Sequence, residues 1–504
     1  MGGGPAIVSN NAGFRHLITD TRPWYKNRRI ITLNLCICLL LITSSTNGYD
    51  DGLQSVQLWE QEFNFPHGGT NIGSLAAYPF SPYLADGLGR RPAIFIGACI
   101  MVAATILQTA SHSFGMFIGA RFLIGFGLTF AAAAAPLLVT EIAFPTQRAQ
   151  ATSMYNTLWY LGSIIAAWTT FGTFRIQNNW AWRIPSALQG LPSVLQIFLI
   201  WLVPESPRFL VSKGREAEAL KTLAYYHADS NQNDPLVQYE FEEIKAAIAF
   251  DRDVAANVGW VSLFKTPGNR RRMRIIIAIA FFSQWSDLNK VFISIGITDN
   301  STQLLINGIL NIWNFIIAIG AGFLCERVGR RRLFMTSTIG MLIFWTLQSV
   351  CVSLYAQDNN RKGAAHTRLR TSVDDLAFTP LIVSYTVEIL PYALRAKGFT
   401  VFNFAISLSL IFNQYVNPIA LGRLGWKYYM VYVAWIAFEA VFCYFFIIET
   451  KGLSLEETAA LFDGDETVHM ISGKAAEQAG VAHIPDEKDT SNDSNEKFDH
   501  THID

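Results

Sequence analysis

Two charged residues stand inside stretches of apolar sequence, where charge is costly. Asp50 closes the apolar run that begins near Ile30, and Arg121 lies early in the run Phe114–Val139. Opposite charges at similar depth in an apolar layer suggest a pair. A carboxyl beside a fixed guanidinium can take up a proton in step with a second event, or the pair can be purely structural. The adjacent Asp51 is the alternative titrating group. A second set of charges is duplicated. "LGRR" at Leu88–Arg91 returns as "VGRR" at Val328–Arg331, 240 residues later. "EIAFPTQRA", from Glu141 to Ala149, returns as "EILPYALRA", from Glu388 to Ala396, 247 residues later. Glu205 in "VPESPR" answers Glu449 in "IETKG" at an offset of 244. In each copy Gly permits a tight turn, and Arg can reach both helix-end carbonyls and the acidic partners Glu141 or Glu388. No nucleophile–base set, phosphate loop or metal cluster accompanies these residues, so the reading excludes an enzyme, a cofactor and a bound metal.

The elements that must hold these charges are apolar helices. Of the 504 residues, 51% are hydrophobic and only 15% are charged, against about 25% charged in soluble domains. Lys+Arg and Asp+Glu both number 39, which gives no electrostatic case for a nucleic-acid partner. Twelve apolar runs are legible: about Ile30–Asp50, Asn71–Asp86, Pro92–Ala110, Phe114–Val139, Ser153–Phe174, Trp182–Val203, Ile275–Ile297, Leu304–Cys325, Leu333–Tyr355, Ala377–Tyr392, Thr400–Leu421 and Tyr428–Ile448. Each approaches the ~20 residues that cross a bilayer. The expected architecture is an all-α integral membrane protein, nominally of 12 spans in two six-helix halves. The expected division is a cytosolic segment 1–29, a first half 30–203, a cytosolic loop 204–274, a second half 275–448 and a cytosolic tail 449–504. Within the loop, "GREAEALKTLAYYH" and "VQYEFEEIKAAIAF" have helical spacing with one polar face. The six cysteines lie in or beside apolar runs without metal-ligand spacing and read as buried hydrophobes.

Sidedness follows from basic residues in short loops. Lys26, Arg28, Arg29, Arg90, Arg91, Arg148, Arg270–Arg272, Arg274, Arg327, Arg330–Arg332, Arg395 and Lys397 all fall on one side. The opposite loop from Asp51 to Gly69 has neither Lys nor Arg. Both termini are therefore expected in the cytosol, and the sequon Asn300-Ser301-Thr302 outside.

Taken in order, "NGYD" (Asn47–Asp50), "DGLGRR" (Asp86–Arg91), "PESPRFL" (Pro204–Leu210), "ERVGRR" (Glu326–Arg331), "EILPYALRAKG" (Glu388–Gly398) and "ETKGLSLEE" (Glu449–Glu457) resemble the sugar porters of the major facilitator superfamily. The wording is nearest the fungal lactose-permease and hexose-transporter branch, and runs from about Arg28 to Phe462. The resemblance implies transport of a mono- or disaccharide by alternating access, with protons as coupling ion, in a multi-pass protein of the plasma membrane. It implies a cytoplasmic gate of Asp86, Arg90, Arg91, Glu141, Arg148, Glu205, Arg208, Glu326, Arg330, Arg331, Glu388, Arg395 and Glu449. It implies proton coupling at Asp50 with Arg121. It places sugar ligands at Asn156, Gln284, Asn311 and Asn413, with Tyr385, Trp159, Trp285 and Trp313 as lining aromatics. Amides suit hydroxyl-rich rings because each offers a donor and an acceptor; helix–helix hydrogen bonding in lipid is their bland alternative.

Four places depart from the family pattern. Asp51 alone stands between "NGYD" and "GLQS", and the second run is only ~16 residues, below the ~20 that span comfortably. Asp287 and Lys290 interrupt the seventh run, and Ala356–Leu376 is polar where the tenth should begin. The breaks are abrupt while the flanking text matches, the pattern that misplaced exon edges leave. A sugar sensor of transporter fold and a transport-incompetent copy are the alternatives to a working carrier.

Overall fold

In the computed structural model the described residues are 24–54, 69–254, 259–285, 300–358 and 378–451, with a few isolated positions beside them. Among them every regular element is helical. The N-terminal set comprises α1 (Arg28–Gln54), α2 (Gly69–Ala77), α3 (Ser81–Gly87), α4 (Arg90–Thr109), α5 (Phe114–Ile142), α6 (Arg148–Thr157), α7 (Trp159–Thr173), α8 (Trp180–Leu188) and α9 (Leu191–Leu199). A connecting group follows: α10 (Pro207–Ser212), α11 (Glu216–His227), α12 (Pro235–Val254) and α13 (Ser262–Lys265). The C-terminal set is α14 (Pro267–Trp285), α15 (Asn300–Val328), α16 (Arg330–Asp358), α17 (Phe378–Glu388), α18 (Tyr392–Leu424) and α19 (Tyr428–Phe446).

Eight helical segments among the described residues are long and apolar enough to cross a membrane. The expected second, fifth, seventh and tenth spans are the shorter or interrupted ones. The second breaks at residues 78–80 between α2 and α3, ahead of Pro82. The fifth breaks at Leu158 between α6 and α7. The seventh is described only to Trp285 and the tenth only from Phe378. Asp287, Lys290 and most of the polar stretch 356–376 lie outside the described residues. The basic run Arg270–Arg274 was expected in a loop, but it forms the first turns of α14. Pro267 suits that helix start, and Thr266 Oγ1 accepts the Asn269 N–H at 3.1 Å.

Burial separates central from peripheral helices. In α5, 78% of the apolar window is buried inside the protein, against 28% in α19. α5 lacks a polar face because it packs on all sides. Pro136 within it removes one N–H, and Thr140 Oγ1 donates to the Pro136 carbonyl at 2.7 Å. Close packing is set by glycine. A Cβ on Gly125 of α5 would lie 2.0 Å from the Thr70 carbonyl of α2, and one on Gly162 of α7 would lie 1.8 Å from the Ser45 carbonyl of α1. The backbones of α2 and α5, and of α1 and α7, therefore touch directly. The connecting helices bury a small core of their own, formed by Leu210, Val211, Leu223, Val237, Phe241 and Ile244, with Tyr392 of α18 against it.

Gly162→Ala must push α1 from α7 and should cost about 1–3 kcal/mol. Gly172→Ala, where nothing lies within 4 Å, should be neutral or slightly stabilising. Thermal midpoints of the two variants in detergent check this contrast.

Candidate functional site: a duplicated charge latch and a central polar seam

At one end of the helix bundle the two Gly-Arg-Arg turns adopt the same structure. Gly89 has φ 114° and Gly329 has φ 95°, values that L side chains rarely adopt. The turn opens α4 in one case and α16 in the other. Its first two N–H groups point at a glutamate. Arg90 N and Arg91 N donate to Glu205 Oε1 and Oε2, both at 3.2 Å. Arg330 N and Arg331 N donate to Glu449 Oε1 and Oε2 at 2.9 and 3.2 Å. A carboxylate at a helix N-terminus meets unsatisfied N–H groups and the favourable end of the macrodipole. A Cβ at Gly89 or Gly329 would fall 2.7 or 2.5 Å from that same carboxylate. The second arginines also match: Arg91 Nη2 donates to the Trp201 carbonyl at 2.9 Å, and Arg331 Nη2 to the Tyr444 carbonyl at 2.8 Å.

The first arginines turn inward. Arg90 has no exposed side-chain surface. Its Nε and Nη2 donate to Glu141 Oε2 and Oε1 at 3.1 and 3.3 Å, and its Nη1 donates to the Ala85 carbonyl at 3.2 Å and lies 3.4 Å from Asp86. Tyr392 and Phe209 face its guanidinium with ring centroids at 5.2 and 5.5 Å. Arg330 Nη2 donates to Glu388 at 3.1 Å, and Ser384 and Thr450 hydroxyls complete that carboxylate at 2.8 Å each. Arg208 Nη1 donates to the Glu141 carbonyl at 3.3 Å. Arg395, fully buried, donates from Nη1 to Glu141 Oε1 at 3.3 Å. Glu141 therefore ties α5 of the N-terminal set to α18 of the C-terminal set. The side chain of Glu326 lies outside the described part.

Arg148 does not join this knot. Its Nη2 lies 3.4 Å from Glu240 of α12, and His227 Nδ1 of α11 lies 2.7 Å from the other oxygen. His227 Nε2 lies 3.4 Å from the Ile142 carbonyl, and its ring stands edge-on to Phe144. The connecting helices are thus clamped to the corner between α5 and α6. Burial by itself would raise the Glu240 carboxyl, but His227 and Arg148 outweigh it and hold it below the ordinary range.

A polar seam runs between the two helix sets. Asn156 Nδ2 donates to the Thr379 carbonyl. Asn311 Nδ2 donates to Ser163 Oγ at 3.0 Å, and Ser153 Oγ reaches Cys325 Sγ at 3.8 Å. Asn413 Nδ2 donates to the Gln284 carbonyl at 2.6 Å, and the Gln284 side chain donates to Ser283 Oγ at 3.2 Å. The four amides sit along this seam and its C-terminal wall. Tyr385 does not join them. It has no exposed surface, and its hydroxyl donates to the Ile448 carbonyl at 3.1 Å and accepts the Ile448 N–H at 3.0 Å. Tyr385 and Glu388 are three apart on α17 and share a face, so Tyr385 follows Glu388 into the latch. Trp159 Nε1 donates to Asp51 at 2.9 Å, and Trp313 is exposed. The side chain of Trp285 lies outside the described part.

Asp50 and Arg121 meet, deep in the N-terminal set. Arg121 Nη1 and Gln189 Nε2 donate to Asp50 Oδ1 at 2.7 and 2.6 Å, with Asp50 and Arg121 both buried. Gln189 was missed by sequence reasoning; it is one of two amides, with Gln196, in the apolar sixth run. Arg272 was missed because it reads as one charge of a basic cluster. It is buried and donates to the Ile389 carbonyl at 3.1 Å.

Comparison with known proteins places the chain. The family model described as "Sugar (and other) transporter" matches residues 42–462. Hexose transporter HXT13 of Saccharomyces cerevisiae is 27% identical over 399 residues, covering 75% of this chain and 70% of that protein. The high-affinity glucose transporter of Kluyveromyces lactis is 26% identical, covering 77% and 75%. The solved structure of the proton:xylose symporter XylE bound to 6-bromo-6-deoxy-D-glucose superposes with a TM-score of 0.75 at 20% identity, over 86% of this chain and 99% of that one. The chain belongs to the sugar (and other) transporter family. It is a multi-pass membrane protein of the major facilitator fold, and its relatives are transporters rather than enzymes.

Glu141→Gln strands Arg90 and Arg395 in a buried site and should cost about 3–5 kcal/mol, read as a lower thermal midpoint in detergent. Glu240 carries a separate pH signature. A carboxyl depressed by folding adds stability above its unfolded pKa, and that contribution is lost as pH falls. The thermal midpoint should therefore fall as the pH drops below the ordinary glutamate value of 4.5. Glu240→Gln, having forfeited the contribution already, should show a shallower drop.

Proposed function

We propose that this chain carries a mono- or disaccharide across the plasma membrane by alternating access, in symport with protons. The observation that carries the reading is the Glu141–Arg395 contact over the duplicated latch. Each helix set is locked internally by its own Arg–Glu pair, and few polar bonds join the sets. Such an assembly can rock as two bodies. On this reading the latch end and both termini face the cytosol, with six spans in each half, and the end bearing the latch is closed.

The sugar takes the polar seam. Asn156, Asn311 and Asn413 hold protein carbonyls and hydroxyls in this conformation. A sugar hydroxyl replaces those partners one for one, so the amides remain satisfied with or without ligand. Gln284 lies beside Asn413 and completes the set. The proton takes Asp50. Protonation removes its charge and frees Arg121 and Gln189 to move, and deprotonation draws them back. Because α1 also packs on α7 through Gly162, a shift at Asp50 is felt by the helix that carries Ser163, the partner of Asn311.

Uptake of radiolabelled hexoses and disaccharides into cells lacking their own hexose carriers tests the reading. Accumulation above the external level that collapses with a proton uncoupler is expected. Asp50→Asn should lose accumulation and keep sugar exchange. Accumulation insensitive to the uncoupler refutes proton coupling. Protein present in the membrane without any sugar movement overturns the carrier reading and favours a sensor.

A further inference from the structure

Besides the Ser153–Cys325 contact, a further cross-set contact belongs neither to the latch nor to the amides. Tyr78, at the break between α2 and α3, places its hydroxyl 2.7 Å from Ser407 Oγ of α18, and both residues are buried. Phe404, one turn earlier on α18, stands edge-on to the Tyr78 ring at 6.2 Å. Tyr78 lies 11 residues before Gly89, about 16 Å from the turn at helical rise. Ser407 lies 15 residues after Tyr392, about 22 Å along α18. Asn311 and Asn413 lie 18 and 21 residues from the same end, about 27 and 31 Å away. The phenol therefore sits between the latch and the deeper amides.

We propose that the Tyr78–Ser407 pair is an inner gate that closes the seam above the latch and parts whenever the latch end opens. The inference rests on the two-body reading of the fold. Its chemistry suits repeated breaking. Released, Ser407 can turn its hydroxyl back to the carbonyl four residues earlier on its own helix, and Tyr78 can bond water in the opened cleft. A charge pair at this depth would pay a large desolvation cost on each closure; two neutral hydroxyls that bond each other incur far less. Tyr78 is also well braced. Gly73, five residues earlier, packs on the α5 backbone, where a Cβ would lie 2.0 Å from the Phe122 carbonyl. The ring thus moves with the N-terminal set, and Ser407 with the C-terminal set.

A native thiol reports the opening. Cys325 has no exposed surface, lies four residues before Gly329, and faces Ser153 across the seam. N-ethylmaleimide labelling of Cys325, followed by peptide mass spectrometry on the full-length protein, measures how often that end opens. Tyr78→Phe keeps the ring and removes only the hydroxyl. It should raise the labelling rate about fivefold, the equilibrium factor of one ordinary hydrogen bond. Ser407→Ala should do the same, the double variant should add nothing further, and Ser407→Thr should keep the original rate. Equal rates in all proteins, zero included, or fully additive effects overturn the gate. The readout needs no sugar movement, so a chain that fails the uptake assay still answers this question.

Discussion

Glu141 has no exposed side-chain surface and holds two guanidinium groups, Arg90 of its own helix set and Arg395 of the other. A carboxylate in that position is tolerated only because it is paired, and the rest of the latch exists to keep the pairing geometry. Glu205 caps the first turn of α4, which aims Arg90 inward. Gly89 takes a positive φ so that the chain can enter that turn without touching Glu205. Arg208 sits on the Glu141 carbonyl, and Tyr392 covers the Arg90 guanidinium. On the proposed alternating-access reading Arg395 is the member that leaves: its guanidinium passes to water at the opened end while Arg90 still neutralises Glu141.

The duplication is faithful within each set and broken between them. The Gly turn, the paired N–H groups on a glutamate and the outward arginine on a helix-end carbonyl are superimposable in kind. The cross-set contact is made once. Glu141 receives Arg395, but Glu388 does not receive Arg148, although Arg148 and Arg395 stand at the 247-residue offset of the repeat. Arg148 is taken by Glu240 and the connecting helices, which occur once in the chain. Ser384 fills the vacated place at Glu388. The asymmetry follows from inserting one helical group into a two-fold plan.

What the sequence disclosed, and what it withheld, divides along the same line. The latch contacts inside each set were legible because the repeat writes them twice, as with Arg90, Glu141 and Glu205. The meeting of Asp50 and Arg121 was legible because two charges in apolar sequence have few other solutions. Contacts between sets were not. Nothing in the spacing pairs Tyr78 with Ser407 or Asn156 with Thr379, since these depend on how two bodies dock. Tyr385 is a related case: the family resemblance gives it a lining role, and Glu388 three residues on the same helix turns its face toward Ile448. Arg272 was hidden among the four arginines of 270–274 because α14 starts earlier than its apolar run.

On the proposed alternating-access reading, the polar seam lets the protein stay closed at one end without being locked. Each hydrogen bond across it contributes only about 0.5–1.5 kcal/mol net, and each partner has a ready substitute when the seam opens. Ser163 and Ser407 can return to their own helix carbonyls, and the amides can take hydroxyls of a ligand or water. The buried charges behave differently, because a guanidinium without a carboxylate has no comparable substitute in an apolar layer. Charges are therefore retained in pairs within one set, Arg90 with Glu141 and Arg330 with Glu388. Neutral groups carry most of the exchange between sets. A ligand can shift such a balance only through contacts that differ between the two arrangements, and the amides of the seam are the groups whose partners must differ.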